Sequence, residues 1–220
     1  MPVQMTLDRV LFEVYHPQAA GPVLRFFYAS EPSVTVGYAA EKKSGYALEA
    51  SRHELDGLPV CRRMTGGGTV IHGQDLIFSL FAHKQDCPGK FDSVETSYRH
   101  LHEVVKLAFA KLGKTPAFYQ KEEAQNGRDC FLNPVETDLR LDGRKIAGGA
   151  QKRSEDFFLH EESIQPPSGM VLAELECALL LAFEEYFEIK IERAVIDPQI
   201  LIRAEKEAEA CVLPALAQNK

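Results

Sequence analysis

Apolar residues recur with a helical period in four stretches of the chain. Apolar positions three and four residues apart predict helices at residues 5–15 and 93–112. The second of these is followed by Gly113, a residue type that commonly ends a helix. Two more helices are predicted at about 171–186 and 198–210. Helices are therefore expected at both ends of the chain and once in the middle.

Shorter apolar runs between the helices predict strands. The strands are expected at residues 22–28, 33–38, 58–61, 75–82, 136–141, 144–152 and 157–165. A further helix at 46–55 and an exposed polar loop at 120–129 complete the order. Hairpins join neighbouring strands, and groups of strands alternate with helices. This order favours an α+β fold, with a mixed, mainly antiparallel sheet flanked by helices, over a doubly wound sheet.

Length and composition limit the number of domains and exclude several classes of protein. The chain has 220 residues, 45% of them hydrophobic, which is enough for one substantial core. We expect a single domain over residues 1–220, with 190–220 as a possible small C-terminal helical appendage. The formal net charge of −7 argues against nucleic acid as the main partner. No apolar run reaches the roughly 20 residues of a membrane-spanning helix, and the start lacks a secretory pattern, so a cytoplasmic protein is predicted.

The spacing of cysteines and histidines is not typical of a metal site. The five cysteines are Cys61, Cys87, Cys130, Cys177 and Cys211. They are scattered along the chain, so we interpret them as reduced thiols. All except Cys130 are expected to be small buried apolar residues. No metal is therefore expected to be bound by the protein itself.

The run RRMTGGGTVIH at residues 62–72 combines two arginines with a glycine turn that opens into an apolar strand. Three glycines allow backbone conformations closed to other residues and leave no Cβ in the way of a ligand. Such a turn can point several N–H groups at one anion. If Arg62 and Arg63 end a strand, only one of them can reach a groove, where its fork would bind a carboxylate or phosphate. The alternative is a tight hairpin with solvated arginines.

The run DGRKIAGGAQ at residues 142–151 is the second informative motif. Its Asp-Gly pair predicts a two-residue hairpin turn. If Ile146 packs inward with Arg144, Lys145 faces the other side, where it can hold an acyl carbonyl or phosphate oxygen. The small residues that follow leave room for a long chain. Together the two runs describe a groove for an acid or acyl-phosphate head with a thin apolar tail, although an exposed basic hairpin is the alternative.

Both runs, in this order, resemble the lipoate–protein ligase and octanoyltransferase family, distant relatives of the biotin–protein ligases. Its members carry Arg-Arg-x-Ser/Thr-Gly-Gly-Gly/Arg-x-Val-x-His and then Gly-Arg/Lys-Lys-Ile/Leu-x-Gly-Ser-Ala-Gln. Weaker matches at 5–11, 22–38 and 158–164 extend the resemblance over most of the chain. The resemblance implies a biotin/lipoate ligase-like catalytic domain that moves an eight-carbon acyl group onto a lysine of a lipoyl carrier domain.

The resemblance also implies which residues form the site. Lys145 would be the essential lysine at the acyl head. With the small residues of the second run, the residues predicted to bind substrate are Arg63, Thr65, Gly66, Gly67, Gly68, Thr69, His72, Gly148, Gly149 and Ala150. Gly149 stands where Ser is usual, and Gly73 where Asp is frequent. These departures leave the acyl groove intact but count against the family's nucleotide-phosphate contacts.

Enzymes of this family differ in how they activate the acyl group. A transferase takes octanoyl from acyl carrier protein through an enzyme thioester, which requires a nucleophilic cysteine. A ligase activates lipoate with ATP and Mg²⁺ and needs no such cysteine. Cys130, in the run RDCFLNP at 128–134, looks like the acyl-bearing cysteine of one octanoyltransferase branch. We therefore predict an octanoyl- or lipoyl-transferase with Cys130 and Lys145 as catalytic residues and no cofactor; the alternative is the ligase.

The resemblance implies proteins as partners. The acceptors would be lipoyl carrier domains, such as the glycine cleavage H protein and the E2 subunits of 2-oxoacid dehydrogenases, with acyl carrier protein as donor. These carriers are acidic, so the basic pairs Lys42–Lys43 and Lys152–Arg153 are the expected docking points. A relative that only binds acyl groups is less favoured, because Lys145 and Cys130 are both present. A biotin ligase is also less favoured, because its glycine motif is built around Gly-Arg-Gly.

Overall fold

The computed structural model describes residues 1–16, 21–29, 31–39, 58–119 and 136–213. The helix predicted at 46–55, the polar loop predicted at 120–129, Cys130 and the pair Lys42–Lys43 lie outside the described residues.

Six antiparallel strands form the main sheet. In spatial order they are β1 (Val23–Tyr28), β5 (Leu76–His83), β9 (Phe157–Ile164), β8 (Arg144–Ser154), β7 (Leu139–Leu141) and β6 (Ala117–Phe118). The two central strands β5 and β9 are buried along almost their whole length, because helices cover both faces of the sheet. The sequence of β5, LIFSLFAH, accordingly lacks the polar alternation of a half-exposed strand.

A second, three-stranded sheet carries the glycine turn. Strand β2 (Ser33–Val36) lies between β3 (Val60–Arg62), to which it is parallel, and β4 (Thr69–His72), to which it is antiparallel. The glycine turn joins β3 to β4, so it lies at one end of this small sheet.

The two faces of the main sheet contact different helices. Helices α2 (Val94–Lys111) and α3 (Leu172–Phe187) pack against alternate residues of β5, including Phe78, in the largest hydrophobic cluster. Helix α1 (Pro2–Tyr15) packs against the intervening residues, including Phe81, on the opposite face. Helix α4 (Pro198–Glu207) lies on α1 through the buried Ala204. No helix within the described ranges is long and apolar enough to cross a membrane.

The fold predicted from the sequence is confirmed, with differences of detail. The sheets are mixed and mainly antiparallel, and helices flank them. Strand β6 was not predicted, because two residues are too short to show a period. The strand predicted from residue 136 begins at Leu139, since 136 and 137 form a turn. The expectation that the cysteines are buried holds for Cys61 but is wrong for Cys177, which is exposed.

Candidate active site

A cavity of about 160 Å³ is lined by residues of both sheets and of helices α1 and α2. The small sheet contributes Thr35, Val70 and His72, and α1 contributes Met5. Other lining residues are Arg63, Ile77, Tyr98, Asp138, Lys145, Gly148, Gly149, Ala150, Glu161, Glu162 and Ser163. Charged groups therefore share the cavity with apolar and small residues, as a polar head with an apolar tail requires.

The structure brings together residues from both sequence motifs. The predicted site residues that line the cavity are Lys145, Arg63, His72, Gly148, Gly149 and Ala150. Thr65, Gly66, Gly67, Gly68 and Thr69 lie in the glycine turn and the start of β4, outside the set of lining residues. Cys130, the predicted nucleophile, lies outside the described residues.

Arg63 holds the glycine turn in shape. Its side chain lies against the turn that follows it in the chain, and the residue is only 5% exposed. Nη2 donates to the carbonyl oxygens of Gly66 at 2.7 Å and Gly68 at 2.9 Å, and Nη1 donates to Thr35 Oγ1 at 3.1 Å. A hairpin with solvated arginines is therefore wrong for Arg63. The guanidinium N–H groups donate to backbone oxygens of the turn, so Arg63 affects a ligand through the conformation of the turn.

Gly37, which was not among the predicted site residues, lies directly against the glycine turn. A Cβ at Gly37 would overlap the Gly67 carbonyl oxygen and lie 2.8 Å from the Gly66 oxygen. The backbone also links the two segments, because the Tyr38 N–H donates to the Thr65 carbonyl at 2.9 Å. A glycine inside the strand predicted at 33–38 was the available signal, since such glycines often mark close backbone approach.

His72 is oriented by a buried hydrogen-bond network. Its Nδ1 lies 2.6 Å from Asp75 Oδ2 and its Nε2 lies 2.8 Å from Thr35 Oγ1. The Ser163 hydroxyl also donates to Asp75 Oδ2, at 2.7 Å. Burial acts to raise the pKa of Asp75, but the hydrogen bonds and charge of His72 outweigh it and leave that pKa below its usual value. The network joins β4 to β9 and fixes the imidazole in the wall of the cavity.

Lys145 enters the cavity from a tight hairpin. The turn residues Asp142 and Gly143 both have positive φ, of 52° and 77°, as a type I′ turn requires. Ile146 is buried in the core, as predicted, whereas Arg144 is exposed and does not pack inward with it. The pairing of β7 and β8 shifts register at Leu139, and this irregularity leaves consecutive residues of β8 buried.

Asp138 is the buried counterion of Lys145. The Lys145 Nζ donates to Asp138 Oδ2 at 2.6 Å, and the two side chains are 5% and 3% exposed. An exposed basic hairpin is therefore wrong for Lys145. Asp138 was not predicted as a site residue, although an acidic residue in the strand predicted at 136–141, which pairs with β8, was a usable signal. The pair gives the cavity an ammonium group whose position is fixed by a carboxylate.

Gly149 leaves space for a neighbouring strand as well as for the cavity. It is the cross-strand partner of Glu162. A Cβ at Gly149 would overlap the Glu162 carboxylate and lie 2.6 Å from His160 Cε1 and 2.8 Å from His160 Nε2. The serine usual at this position in the family would therefore require these side chains to move.

Two adjacent buried glutamates of β9 differ in protonation state. Burial, followed by the charge of Asp8, raises the pKa of Glu161 to about 8, and the hydrogen bond from Thr65 opposes this only in part. Burial acts in the same direction on Glu162, but the charge and hydrogen bond of His102, with a hydrogen bond from His160, lower its pKa to about 2. Glu161 is therefore neutral at neutral pH, and Glu162 is ionised.

Neutralising these two glutamates is expected to change stability in opposite directions. In the native state Glu161 keeps its proton above its usual pKa of 4.5, so its stabilisation is full below that pH and is lost as pH rises toward 8. Glu161→Gln should therefore gain stability relative to wild type between pH 5 and 8, by up to about 1.4 kcal/mol for each pH unit.

The matched variant is Glu162→Gln. Ionised Glu162 stabilises the fold above pH 4.5, and this contribution is lost as pH falls toward 2. Glu162→Gln should be less stable than wild type at pH 7 and approach it in acid. Urea denaturation midpoints of the three proteins from pH 3 to 8 measure both effects. A stability of Glu161→Gln that does not rise relative to wild type between pH 5 and 8, or a stability of Glu162→Gln that does not fall relative to wild type between pH 3 and 5, would contradict the assigned charge states.

Comparison with known proteins adds independent observations. Residues 1–165 match the family model described as the lipoyl protein ligase A/B catalytic domain. The octanoyltransferase LipM of Lysinibacillus sphaericus is 30% identical over 168 residues, which are 73% of this chain and 60% of that protein. The LipM of Bacillus subtilis is 32% identical over 168 residues, covering 73% and 59%. The chain thus spans about 60% of the length of these curated relatives.

Solved structures share the fold. A crystal structure of lipoate-protein ligase A bound with ATP superposes with a TM-score of 0.73 and 20% identity, covering 94% of this chain and 89% of that one. The bi-partite lipoate protein ligase of Thermoplasma acidophilum gives a TM-score of 0.66 and 20% identity, covering 94% and 87%. At this identity the similarity establishes the fold.

Proposed function

Because the chain belongs to the lipoyl protein ligase A/B catalytic domain family, we propose that it transfers an octanoyl group from acyl carrier protein to a lysine of a lipoyl carrier domain. The transfer proceeds through a thioester on Cys130. The observation that carries the proposal is the buried Lys145–Asp138 pair, which opens into a cavity lined by Gly148 and Ala150. The names of the curated relatives favour the transferase over the ligase.

In the first step the Cys130 thiolate attacks the carbonyl carbon of the donor thioester. A carbon–sulfur bond to Cys130 forms, the bond to the carrier sulfur breaks, and the carrier thiolate takes up the proton that the Cys130 thiol released when it ionised. We assign to the Lys145 ammonium a hydrogen bond to the carbonyl oxygen, on which negative charge develops. Asp138 keeps that ammonium in place at 2.6 Å.

In the second step the amine of the acceptor lysine attacks the Cys130 thioester. A carbon–nitrogen bond forms, the carbon–sulfur bond breaks, and the Cys130 thiolate leaves. The proton that the attacking amine loses can return to this sulfur, so atoms and charge balance. Lys145 serves the same carbonyl oxygen in both steps, and no cofactor is required.

We propose that residues 1–220 act as one catalytic domain, with lipoyl domains as acceptors. The packing of α4 on α1 supports this, since the last described helix shares a cluster with the first. Of the predicted docking pairs, Lys152 remains a candidate. Arg153 is engaged elsewhere, because it donates to the carbonyl oxygens of Phe91 at 3.1 Å and Ser93 at 2.7 Å and so holds the start of α2.

An ATP-dependent lipoate–protein ligase is the second candidate. The three-glycine form of the turn, at least as typical of ligases in this family, favours it. The turn would then contact a nucleotide, and Mg²⁺ would enter with ATP. Arg63 argues against a direct phosphate contact by its own side chain, because both Nη atoms donate within the protein.

The experiment that tests the proposal is intact-protein mass spectrometry after incubation with octanoyl-acyl carrier protein without ATP. We expect a hydroxylamine-labile octanoyl adduct on the wild type, because a thioester on Cys130 is cleaved by hydroxylamine. The adduct should be absent in Cys130→Ser. Cys177→Ser is the matched control, since its thiol is exposed and distant in sequence, and this variant should carry the adduct.

If the wild type carries no adduct, modification of a lipoyl domain is the measurement that decides between the remaining functions. Modification of a lipoyl domain that depends on ATP and lipoate would then establish the ligase. An absence of modification with either donor would overturn both candidates.

A further inference from the structure

A buried cluster of three titratable side chains extends from the cavity wall into the core, and Glu162 is its member that lines the cavity. His102 of α2 and His160 of β9 are both fully buried, and Glu162 of β9 lies between them. His102 Nε2 lies 3.1 Å from both Glu162 oxygens, and His160 Nε2 lies 2.8 Å from Glu162 Oε2. The proposed acyl transfer uses none of these groups, so their retention in the core calls for another explanation.

The hydrogen-bond partners assign different protonation states to the two imidazoles. His102 Nδ1 contacts the carbonyl oxygen of Thr137, and its Nε2 contacts a carboxylate, so both ring nitrogens must donate and the ring is an imidazolium. His160 accepts at Nδ1 from Gln151 Nε2, at 3.0 Å, and donates only from Nε2, so it is neutral.

Electrostatics agree with this assignment. Burial acts to lower the pKa of His102, but the charge and hydrogen bond of Glu162, the Thr137 carbonyl and the charge of Asp138 raise it above its usual value. Burial dominates at His160 and lowers its pKa. The cluster therefore holds one buried ion pair, His102 with Glu162, and one neutral imidazole.

The carbonyl that His102 binds is one residue from the counterion of Lys145. Thr137 is followed directly by Asp138, which accepts from Lys145 Nζ at 2.6 Å. The contacts thus run without a gap from Glu162 to His102, to the Thr137 backbone, to Asp138 and to Lys145. Thr137 lies in a turn that precedes β7. The backbone pairing nearest to it is the Tyr119 N–H, which donates to the Asp138 carbonyl at 3.0 Å.

We propose that His102 is a positioning residue, which fixes the Thr137 backbone and thereby sets the position of Asp138 and the Lys145 ammonium. The assignment rests on the proposed function only for the reaction that Lys145 serves. Glu162 keeps the imidazole charged, so both N–H groups stay available at neutral pH. Gly149, which has no Cβ to displace Glu162, is what gives the cluster its space.

Two glutamine variants form a matched pair for the test. Gln Nε2 can replace the Nε2 of histidine, so His102→Gln and His160→Gln each keep a donor to Glu162 and lose the contact at Nδ1. His102→Gln loses the hydrogen bond to the Thr137 carbonyl oxygen, and His160→Gln loses the hydrogen bond from Gln151 Nε2. A misplacement of about 1 Å costs roughly 10²-fold in rate. We expect His102→Gln to lower kcat by about 10- to 100-fold with KM little changed, and His160→Gln to keep kcat near the wild-type value.

His102→Asn is the rescue variant, because Asn Nδ2 replaces the Nδ1 donor to Thr137. It should retain most of kcat despite losing the ion pair with Glu162. Melting temperatures of all three variants are measured in parallel. The proposal requires kcat to follow the presence of a donor to Thr137. If kcat follows the melting temperature instead, the role of His102 is merely structural. Should His102→Gln not fold, kcat and melting temperature can still be compared in His102→Asn and His160→Gln.

A second readout does not depend on acyl transfer. The rate at which acetic anhydride acetylates Lys145, followed by peptide mass spectrometry from pH 7 to 10, reports the surroundings of Nζ. We expect this profile to change in His102→Gln and to match wild type in His160→Gln. A change without any transfer activity in the wild type would reject the proposed function and support the positioning role. Unchanged profiles in both variants would overturn the positioning role.

Discussion

Lys145→Met is expected to lower the kcat of acyl transfer to a lipoyl domain by about 10²- to 10⁴-fold. The variant removes the only group in the proposed mechanism that stabilises charge on the acyl carbonyl oxygen, and losses of 10²–10⁴-fold are typical for such groups. It also leaves Asp138, which is 3% exposed at its side chain, without its cation. Removing one partner of a buried ion pair destabilises a protein by about 3–5 kcal/mol.

The loss of stability can be separated from the loss of activity with a second substitution. In Lys145→Met/Asp138→Asn no buried charge is left unpaired, so most of the lost stability should return while transfer stays slow. Urea denaturation and the rate of octanoyl transfer to a lipoyl domain measure the two quantities. Transfer by the double variant at more than about a tenth of the wild-type rate would remove Lys145 from the chemistry.

The sequence predicted the fold because its signals were local and periodic. The apolar stripe of α2 and the continuous apolar run of β5 each define an element without knowledge of the rest of the chain. The Asp142–Gly143 turn was equally legible, since few residue pairs adopt positive φ at both positions. Strand β6 escaped because it has only two residues and depends on its pairing with β7.

The site was less predictable, because its key contacts join residues far apart in sequence. Lys145 was found through its motif, whereas its partner Asp138 becomes evident only when β7 and β8 are paired. Arg63 was predicted to meet a ligand, but its partners are the carbonyl oxygens of its own turn. A backbone carbonyl can take the place of a ligand in this way because a buried carbonyl oxygen also needs a hydrogen-bond donor.

The buried cluster around Glu162 shows the same limit more clearly. Neither the spacing of His102 and His160 nor the glycine at 149 carries a signal alone. Only the register that places Gly149 opposite Glu162, with α2 packed above, brings them together. The departure of Gly149 from the family pattern was visible in the sequence, but its cause lies in a neighbouring strand.

Gly37→Ala is expected to reduce acyl transfer by about 10- to 100-fold. The added methyl group would overlap the Gly67 carbonyl oxygen and lie within 2.9 Å of the Gly66 carbonyl carbon. Both atoms belong to backbone that Arg63 already holds by two hydrogen bonds, so the turn must move as a unit. Overpacking of this kind costs about 1–3 kcal/mol, and a shift of about 1 Å near reacting groups costs roughly 10²-fold in rate.

Gly73→Ala is the matched control for this variant, because the nearest atoms to a Cβ there belong to Pro32, at an ordinary contact distance of 3.8 Å. Both substitutions add one methyl group to a glycine beside the small sheet, and only Gly37→Ala displaces the glycine turn. Transfer rates and melting temperatures of the two variants should therefore differ, with Gly73→Ala close to wild type in both. Equal transfer by Gly37→Ala and wild type would mean that the position of the glycine turn does not limit the reaction. The residues that line the cavity would then position the substrate without help from the turn.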